Sequence, residues 1–166
     1  RLLACASARG RVKVWDLLEG REWTGLPFPK GILQVAFSYD GRLLAGLTPN
    51  SILLLDVASR RLSAKFKAKA APEFHVLGFS LDDRFLAAVG REATWVWDLD
   101  NAKPLPRTLK ELSLVYSACF TEDNRHLVLE GILEEVTAVS LESGAAVDTE
   151  NHHRRAFALA NGRDPD

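Results

Sequence analysis

The sequence predicts an all-β chain made of repeated four-stranded antiparallel units. Three observations carry this. Phe-Ser-Tyr-Asp-Gly-Arg-Leu-Leu at 37–44, Phe-Ser-Leu-Asp-Asp-Arg-Phe-Leu at 79–86 and Phe-Thr-Glu-Asp-Asn-Arg-His-Leu at 120–127 each place Phe and Arg five apart, and the three Phe residues are separated by 42 and 41 positions. Val-Trp-Asp-Leu at 14–17 returns at 96–99, with weaker copies Leu-Leu-Asp-Val at 54–57 and Val-Ser-Leu at 139–141; Asp16, Asp56, Asp98 and Ser140 are spaced by 40, 42 and 42. Between these landmarks lie short runs that are apolar on nearly every residue, the mark of a sheet covered on both faces. Two landmarks sharing one period identify a repeat architecture. Four-stranded sheets stacked at that period are the blades of a β-propeller. A β-sandwich, the alternative, has no fixed landmark period.

The elements follow in order. Residues 1–29 supply three runs of a partial first unit, because no run precedes Leu2–Ala6. The second unit, 32–70, holds four: Ile32–Phe37, Leu43–Leu47, Ile52–Asp56 and Arg61–Phe66. Asp40-Gly41, Pro49-Asn50 and Ala58-Ser59 punctuate them as turns. In the fourth run Leu62, Ala64 and Phe66 alternate with Arg61, Ser63, Lys65 and Lys67, an edge strand whose lysines discourage edge-to-edge pairing. The third unit is 73–110 and the fourth 113–148, with innermost runs Phe74–Phe79 and Leu114–Phe120. Prolines respect this register: Pro27, Pro29, Pro49 and Pro72 fall between or at the ends of runs, and Pro104 and Pro106 on an edge strand. The remainder, 151–166, reads as a tail or the start of a further unit, since Phe157 and Asn161-Gly162-Arg163 imitate a first strand and its turn. A chain that opens at Arg1 and breaks in mid-unit fits a slice of a seven- or eight-bladed ring, with a four-bladed ring closed by the tail as the alternative.

Composition narrows the class. Hydrophobic residues make up 47%, which is a folding composition. With 21 basic and 22 acidic side chains the net charge is −1, and a nucleic-acid binder would carry a basic excess. No apolar run reaches the length of roughly eighteen residues that a membrane helix needs. Cys5 and Cys119 are too few for a disulfide framework and read as reduced thiols in a core, which points to the cytoplasm.

At this point the residues resemble a family. Val14-Trp15-Asp16-Leu17, Val96-Trp97-Asp98-Leu99 and the run Val35-Ala36-Phe37-Ser38-Tyr39-Asp40-Gly41-Arg42-Leu43-Leu44-Ala45 are similar to WD40 repeats, over residues 1–148. The chain departs from that pattern in two ways. The Gly-His pair that opens a typical repeat is absent, His75 being inside a strand. The turn Asp between second and third strands is replaced by Ser7-Ala8-Arg9-Gly10, Thr48-Pro49-Asn50 and Gly90-Arg91-Glu92. The buried Asp–His–Ser/Thr–Trp network of the family therefore cannot form, and apolar packing has to hold the units.

Chemistry is sparse. No phosphate loop, nucleophile elbow or paired Cys motif occurs. His152 and His153, beside Arg154 and Arg155, read as a solvated pair and not a metal site, and His126 as packing or surface. The innermost runs carry no Asp or Glu and one His, so paired carboxylates for acid–base work are missing at the axis. No catalytic residue, cofactor or metal is expected. The resemblance implies a protein–protein interaction scaffold that binds through loops. Partner-binding candidates are Arg9, Arg11, Lys30, Lys67, Lys69 and Arg91, opposed by Glu130, Glu134 and Glu135, a basic and an acidic side able to orient a partner. Trp23 could anchor one or pack between units. The expected partners are proteins, or the remaining blades of the same propeller, or a second copy, and neither nucleic acid nor membrane. The competing readings are an architectural segment of a larger propeller in a multidomain signalling protein, and a propeller enzyme.

Overall fold

The computed structural model describes residues 1–67, 74–90, 94–101, 103–104, 115–131 and 136–147. These form four antiparallel sheets. The first is three-stranded: β1 (Leu2–Ala6), β2 (Val12–Asp16) and β3 (Arg21–Glu22). The second runs β4 (Gln34–Phe37), β5 (Leu43–Thr48), β6 (Ser51–Asp56) and β7 (Arg61–Lys67). The third runs β8 (Phe74–Phe79), β9 (Phe85–Gly90), β10 (Thr94–Asp98) and β11 (Lys103–Pro104). The fourth runs β12 (Val115–Phe120), β13 (His126–Gly131), β14 (Val136–Ser140) and β15 (Ala146–Val147). Each sheet is a meander whose strands pair in sequence order, so every hydrogen-bonded neighbour is also a chain neighbour. Among the described residues there is no helix long and apolar enough to cross a membrane.

The period-two alternation of side chains across a strand decides how the sheets meet. Val35 and Phe37 of β4 pack toward the first sheet, with Val14, Leu2 and Ala4. Ala36, one residue along, packs toward the third sheet, with Leu77, Phe79 and Trp97. The third sheet repeats this with Val76 and Ala87 turned toward Ala118, Phe120 and Leu129 of the fourth. Three apolar interfaces result, one between each successive pair of sheets, and the leading strands β1, β4, β8 and β12 adjoin in that order. The landmark aromatics thus occupy equivalent places, although only Phe79 is fully buried; Phe37 and Phe120 are half-buried. Trp97 is 1% exposed, its ring 6.0 Å from Phe66 and 6.2 Å from Trp95.

Burial follows from this stacking. β9 is buried along its whole length, and β5 and β6 nearly so. β1 alternates between half-buried and exposed, because one face of the first sheet has no neighbour among the described residues. Leu3 is accordingly 52% exposed. Cys5 and Cys119, expected in a core, are both exposed. The register explains it: each points to the face opposite its sheet's apolar interface, Cys5 across from Lys13 and Cys119 across from Val128. Of the edge-strand prolines, Pro104 lies in β11, whereas Pro106 and the tail beyond residue 147 lie outside the described residues.

The Phe-to-Arg landmark is a turn held by three kinds of bond. A hydroxyl (Ser38, Ser80 or Thr121) accepts the N–H of Leu43, Phe85 or His126 at 2.9, 2.9 and 3.1 Å. The same hydroxyl donates to Asp40, Asp82 or Asp123 at 2.8, 2.6 and 2.6 Å. That carboxylate accepts the N–H of Arg42, Arg84 or Arg125 at 2.8, 3.2 and 3.0 Å. Between Asp and Arg the chain must turn with positive φ, and the residue there is Gly41 (73°), Asp83 (59°) or Asn124 (54°). Glycine tolerates that region without strain, and Asp and Asn are the side chains that most readily follow it.

The positive-φ residue also bonds the sheets together. Asp83 accepts the N–H of Tyr39 and of Asp40 on the preceding turn at 2.6 and 2.8 Å. Asn124 accepts the N–H of Leu81 at 2.9 Å. Gly41 has no side chain to extend, and the first sheet carries no corresponding turn for it to reach.

Two stability outcomes follow. Replacing Phe79 by Ala should lower the unfolding free energy by about 3–5 kcal/mol in urea titrations, and a smaller loss than from an exposed substitution would refute its place in the interface. Replacing Asp83 by Ala should lower it by about 1–2 kcal/mol, through two lost bonds and a strained φ, and Asp83→Asn by less.

Candidate functional site

The turns at the two ends of the stack differ in chemistry. At one end, the carboxylates of the Trp-Asp landmark close the turns after β2, β6 and β10. Asp16 accepts the N–H of Leu18 and Glu19 at 2.9 and 3.2 Å, and Asp56 the N–H and hydroxyl of Ser59 at 2.7 and 2.6 Å. Asp98 is 6% exposed and accepts from Arg84 at 3.0 Å and from the Asn101 side chain at 2.9 Å. These donors hold the carboxyl of each below the ordinary Asp value: backbone N–H groups first for Asp16, the Ser59 hydroxyl first for Asp56 and the Arg84 guanidinium first for Asp98. Asp40 and Asp123 are lowered likewise, by the Arg42 N–H and the Thr121 hydroxyl respectively. The carboxylates here do structural work, and their charged form is the one that bonds.

At the other end, the two described turns between strands, 7–11 between β1 and β2 and 48–51 between β5 and β6, are built without carboxylates. The Ser7 hydroxyl accepts the Arg11 N–H at 3.1 Å, and Thr48 Oγ1 accepts the Ser51 N–H at 2.9 Å and donates to the Ser51 carbonyl at 2.8 Å. In these two turns a hydroxyl stands where the sequence lacks a turn Asp. Gly10 turns with φ of 69°, and a Cβ there would lie 2.5 Å from the Gly31 nitrogen. The close approach exists because the Gly10 carbonyl accepts the N–H of Gly31 and of Ile32, both at 3.1 Å. Leu33 N–H then bonds the Leu47 carbonyl at 2.7 Å, tying the segment to the second sheet.

This brings together residues that are far apart in sequence. Arg11 and Lys30 line one cleft of about 620 Å³ with Trp23, Glu22 and Phe28. Glu22 is matched by Lys13 at 3.0 Å, while Arg11 and Lys30 form no ion pair among the described residues, so the cleft is basic. Trp23 is half-buried, packs into the interface between the first two sheets and carries Arg60 over its ring at 4.2 Å. Arg9 is exposed on the same turn as Gly10.

The remaining predicted positions fare differently. Lys67 is the last residue of β7, opposite Ser51, and not part of a loop. Glu130 is also not in a loop: it lies within β13, half-buried, between Ser117 and Val136. Its charge, after the partial desolvation of the sulfur itself, helps raise the pKa of the neighbouring Cys119 thiol. Lys69, Arg91, Glu134 and Glu135 lie outside the described residues, as do His152 and His153. His126 opens β13, half-buried, with its Nδ1 4.0 Å from Asp123. Among the described residues no group of three or more His, Cys, Asp or Glu is placed to hold a metal ion.

No protein-family model matches the chain, and no curated protein matches it either.

Acid weakens the fold through these turns. Five turn carboxylates have folded pKa values below the ordinary Asp value of about 3.9. Their contribution is complete above that value and is lost as pH falls through the folded values. Urea midpoints should therefore be flat between about pH 5 and pH 7 and fall below about pH 4, and Asp98→Asn should flatten that fall.

Proposed function

We propose that the chain is a run of WD40-like propeller blades that serves as a protein-interaction scaffold and binds an acidic segment of a partner at the cleft between Arg11 and Lys30. The observation that carries this reading is the convergence of two cations, without an ion pair among the described residues, on a cleft walled by Trp23 and Phe28. An aromatic wall gives a partner side chain apolar area at small entropic loss, and neighbouring cations select acidic over basic sequence. Glu22 does not oppose this, since Lys13 already neutralises it.

Two features support the finer fold. Sheets stack in chain order with leading strands adjoining, and the turns at 80–84 and 121–125 each grip the one before. The turn at 121–125 presents the Glu122 and Asp123 N–H groups, which correspond to the pair that Asp83 grips on the turn at 38–42. Neither has a hydrogen-bond partner among the described residues, as though another sheet were to follow. That same observation favours the second reading, an architectural segment whose partner is the rest of its own ring. A scaffold is preferred to an enzyme because β4, β8 and β12 contain no Asp or Glu.

The test is a mixed-charge peptide array probed with the purified chain. Acidic peptides containing an aromatic residue should be retained, and Arg11→Glu with Lys30→Glu should abolish retention without altering the circular dichroism spectrum. Binding should weaken steeply with salt, because exposed charges are screened beyond about 8–10 Å at physiological ionic strength. Retention that survives both substitutions would eliminate the cleft, and retention of no acidic peptide at low salt would favour the architectural reading.

A further inference from the structure

The interface between the third and fourth sheets carries smaller residues at two positions than the one before it. Where the second and third sheets meet, Ala36 and Leu77 stand at matching positions of β4 and β8. One repeat later the matching residues are Gly78 of β8 and Ala118 of β12. Both changes remove volume, and a Cβ added to Gly78 would meet nothing within 4 Å. The result is an open cavity of about 330 Å³. Val76, Ala87, Phe120 and Leu127 form its walls, and Leu81, 42% exposed, stands at its rim.

The mouth differs from the walls. Tyr39, 67% exposed, lies on it, and its backbone is pinned by the bond from its N–H to Asp83. Opposite, Glu122 is exposed at the rim, and its carboxylate makes no ion pair or hydrogen bond among the described residues. The arginines of the three turns have other places: Arg42 reaches Asp40 at 3.5 Å, Arg84 reaches Asp98, and Arg125 lines a separate cleft with Glu142 and Ser140. The cavity falls in the size range of small-ligand sites, which begins at about 300 Å³. Apolar walls with a carboxylate only at the mouth ask for an occupant that is apolar inside and cationic outside. A lysine side chain has the opposite polarity, with its charge at the tip.

We propose that this cavity receives an aliphatic side chain of an extended peptide, flanked by Arg or Lys whose charge meets Glu122. The site lies at the end of the stack away from the Arg11–Lys30 cleft, and it does not depend on that cleft binding anything.

The experiment titrates the intact chain, labelled with nitrogen-15, with the capped peptide Ser-Arg-Leu-Arg-Ser. Amide shifts should move at Gly78, Ala118 and Glu122. The peptides Ser-Glu-Leu-Glu-Ser and Ser-Arg-Ser-Arg-Ser should bind at least tenfold more weakly. Ala118→Leu should fill the cavity, abolish the shifts and leave the melting temperature equal or higher. Glu122→Gln should weaken the arginine peptide about fivefold at low salt and by less at high salt. If Ala118→Leu fails to fold, Gly78→Ala serves in its place, since it narrows the same space by one methyl group. Equal binding of the glutamate peptide, or undiminished binding to the filled variant, would overturn the proposal. So would a complete absence of shifts with millimolar arginine peptide. Arg11→Glu with Lys30→Glu should leave every one of these results unchanged, which separates the failure of either site from that of the other.

Discussion

A four-stranded sheet that is apolar on both faces has to give one set of side chains to each neighbour, and everything else in this structure depends on that division. The alternation of a β-strand makes it automatic: Val35 and Phe37 go to one interface and Ala36 to the next. Burial of apolar area supplies the driving force, about 25 cal/mol for each Å² removed from water, and it acts between sheets more than within them. The turns then serve a chain whose stacking is already dictated by its faces. Their hydroxyl and carboxylate bonds satisfy backbone N–H groups that would otherwise lie unpaired at the sheet ends.

Charge in this molecule divides by job. The carboxylates of Asp16, Asp40, Asp56, Asp98 and Asp123 are held in turns by close donors. Glu122, Arg11 and Lys30 sit beside clefts with no partner of their own among the described residues. The contrast explains why counts of acidic and basic residues say little about binding here. What matters is whether a charge has been used in folding, and a near-neutral total conceals a basic cleft at one end and a carboxylate-rimmed apolar cavity at the other.

The cavity also illustrates how a repeat acquires individuality. Equivalent positions in successive sheets face equivalent neighbours, so exchanging Ala36 for Gly78 and Leu77 for Ala118 changes one interface and leaves the others intact. In a stack held by pairwise contacts, such a local loss of packing is tolerated because the adjoining interfaces retain their own cores.

The sequence alone determined the strand order, the period and most strand limits, because these rest on local signals: alternation, turn residues and two landmarks at one spacing. Even the capped turn was legible in Ser/Thr-x-Asp recurring at 38–40, 80–82 and 121–123. The tertiary structure decided what depends on which face a residue occupies and on what lies across from it. Cys5 and Cys119 stand among apolar residues in sequence yet point away from the interfaces, and Glu130 reads as a loop charge yet lies inside β13. The meeting of Arg11 with Lys30 required the Gly10 carbonyl to capture the Gly31 and Ile32 N–H groups, a contact across 21 residues of sequence that no local pattern announces. The cavity beside Glu122 arose in the same way, since the volume missing at Gly78 and Ala118 becomes a site only when two separate sheets place those positions face to face.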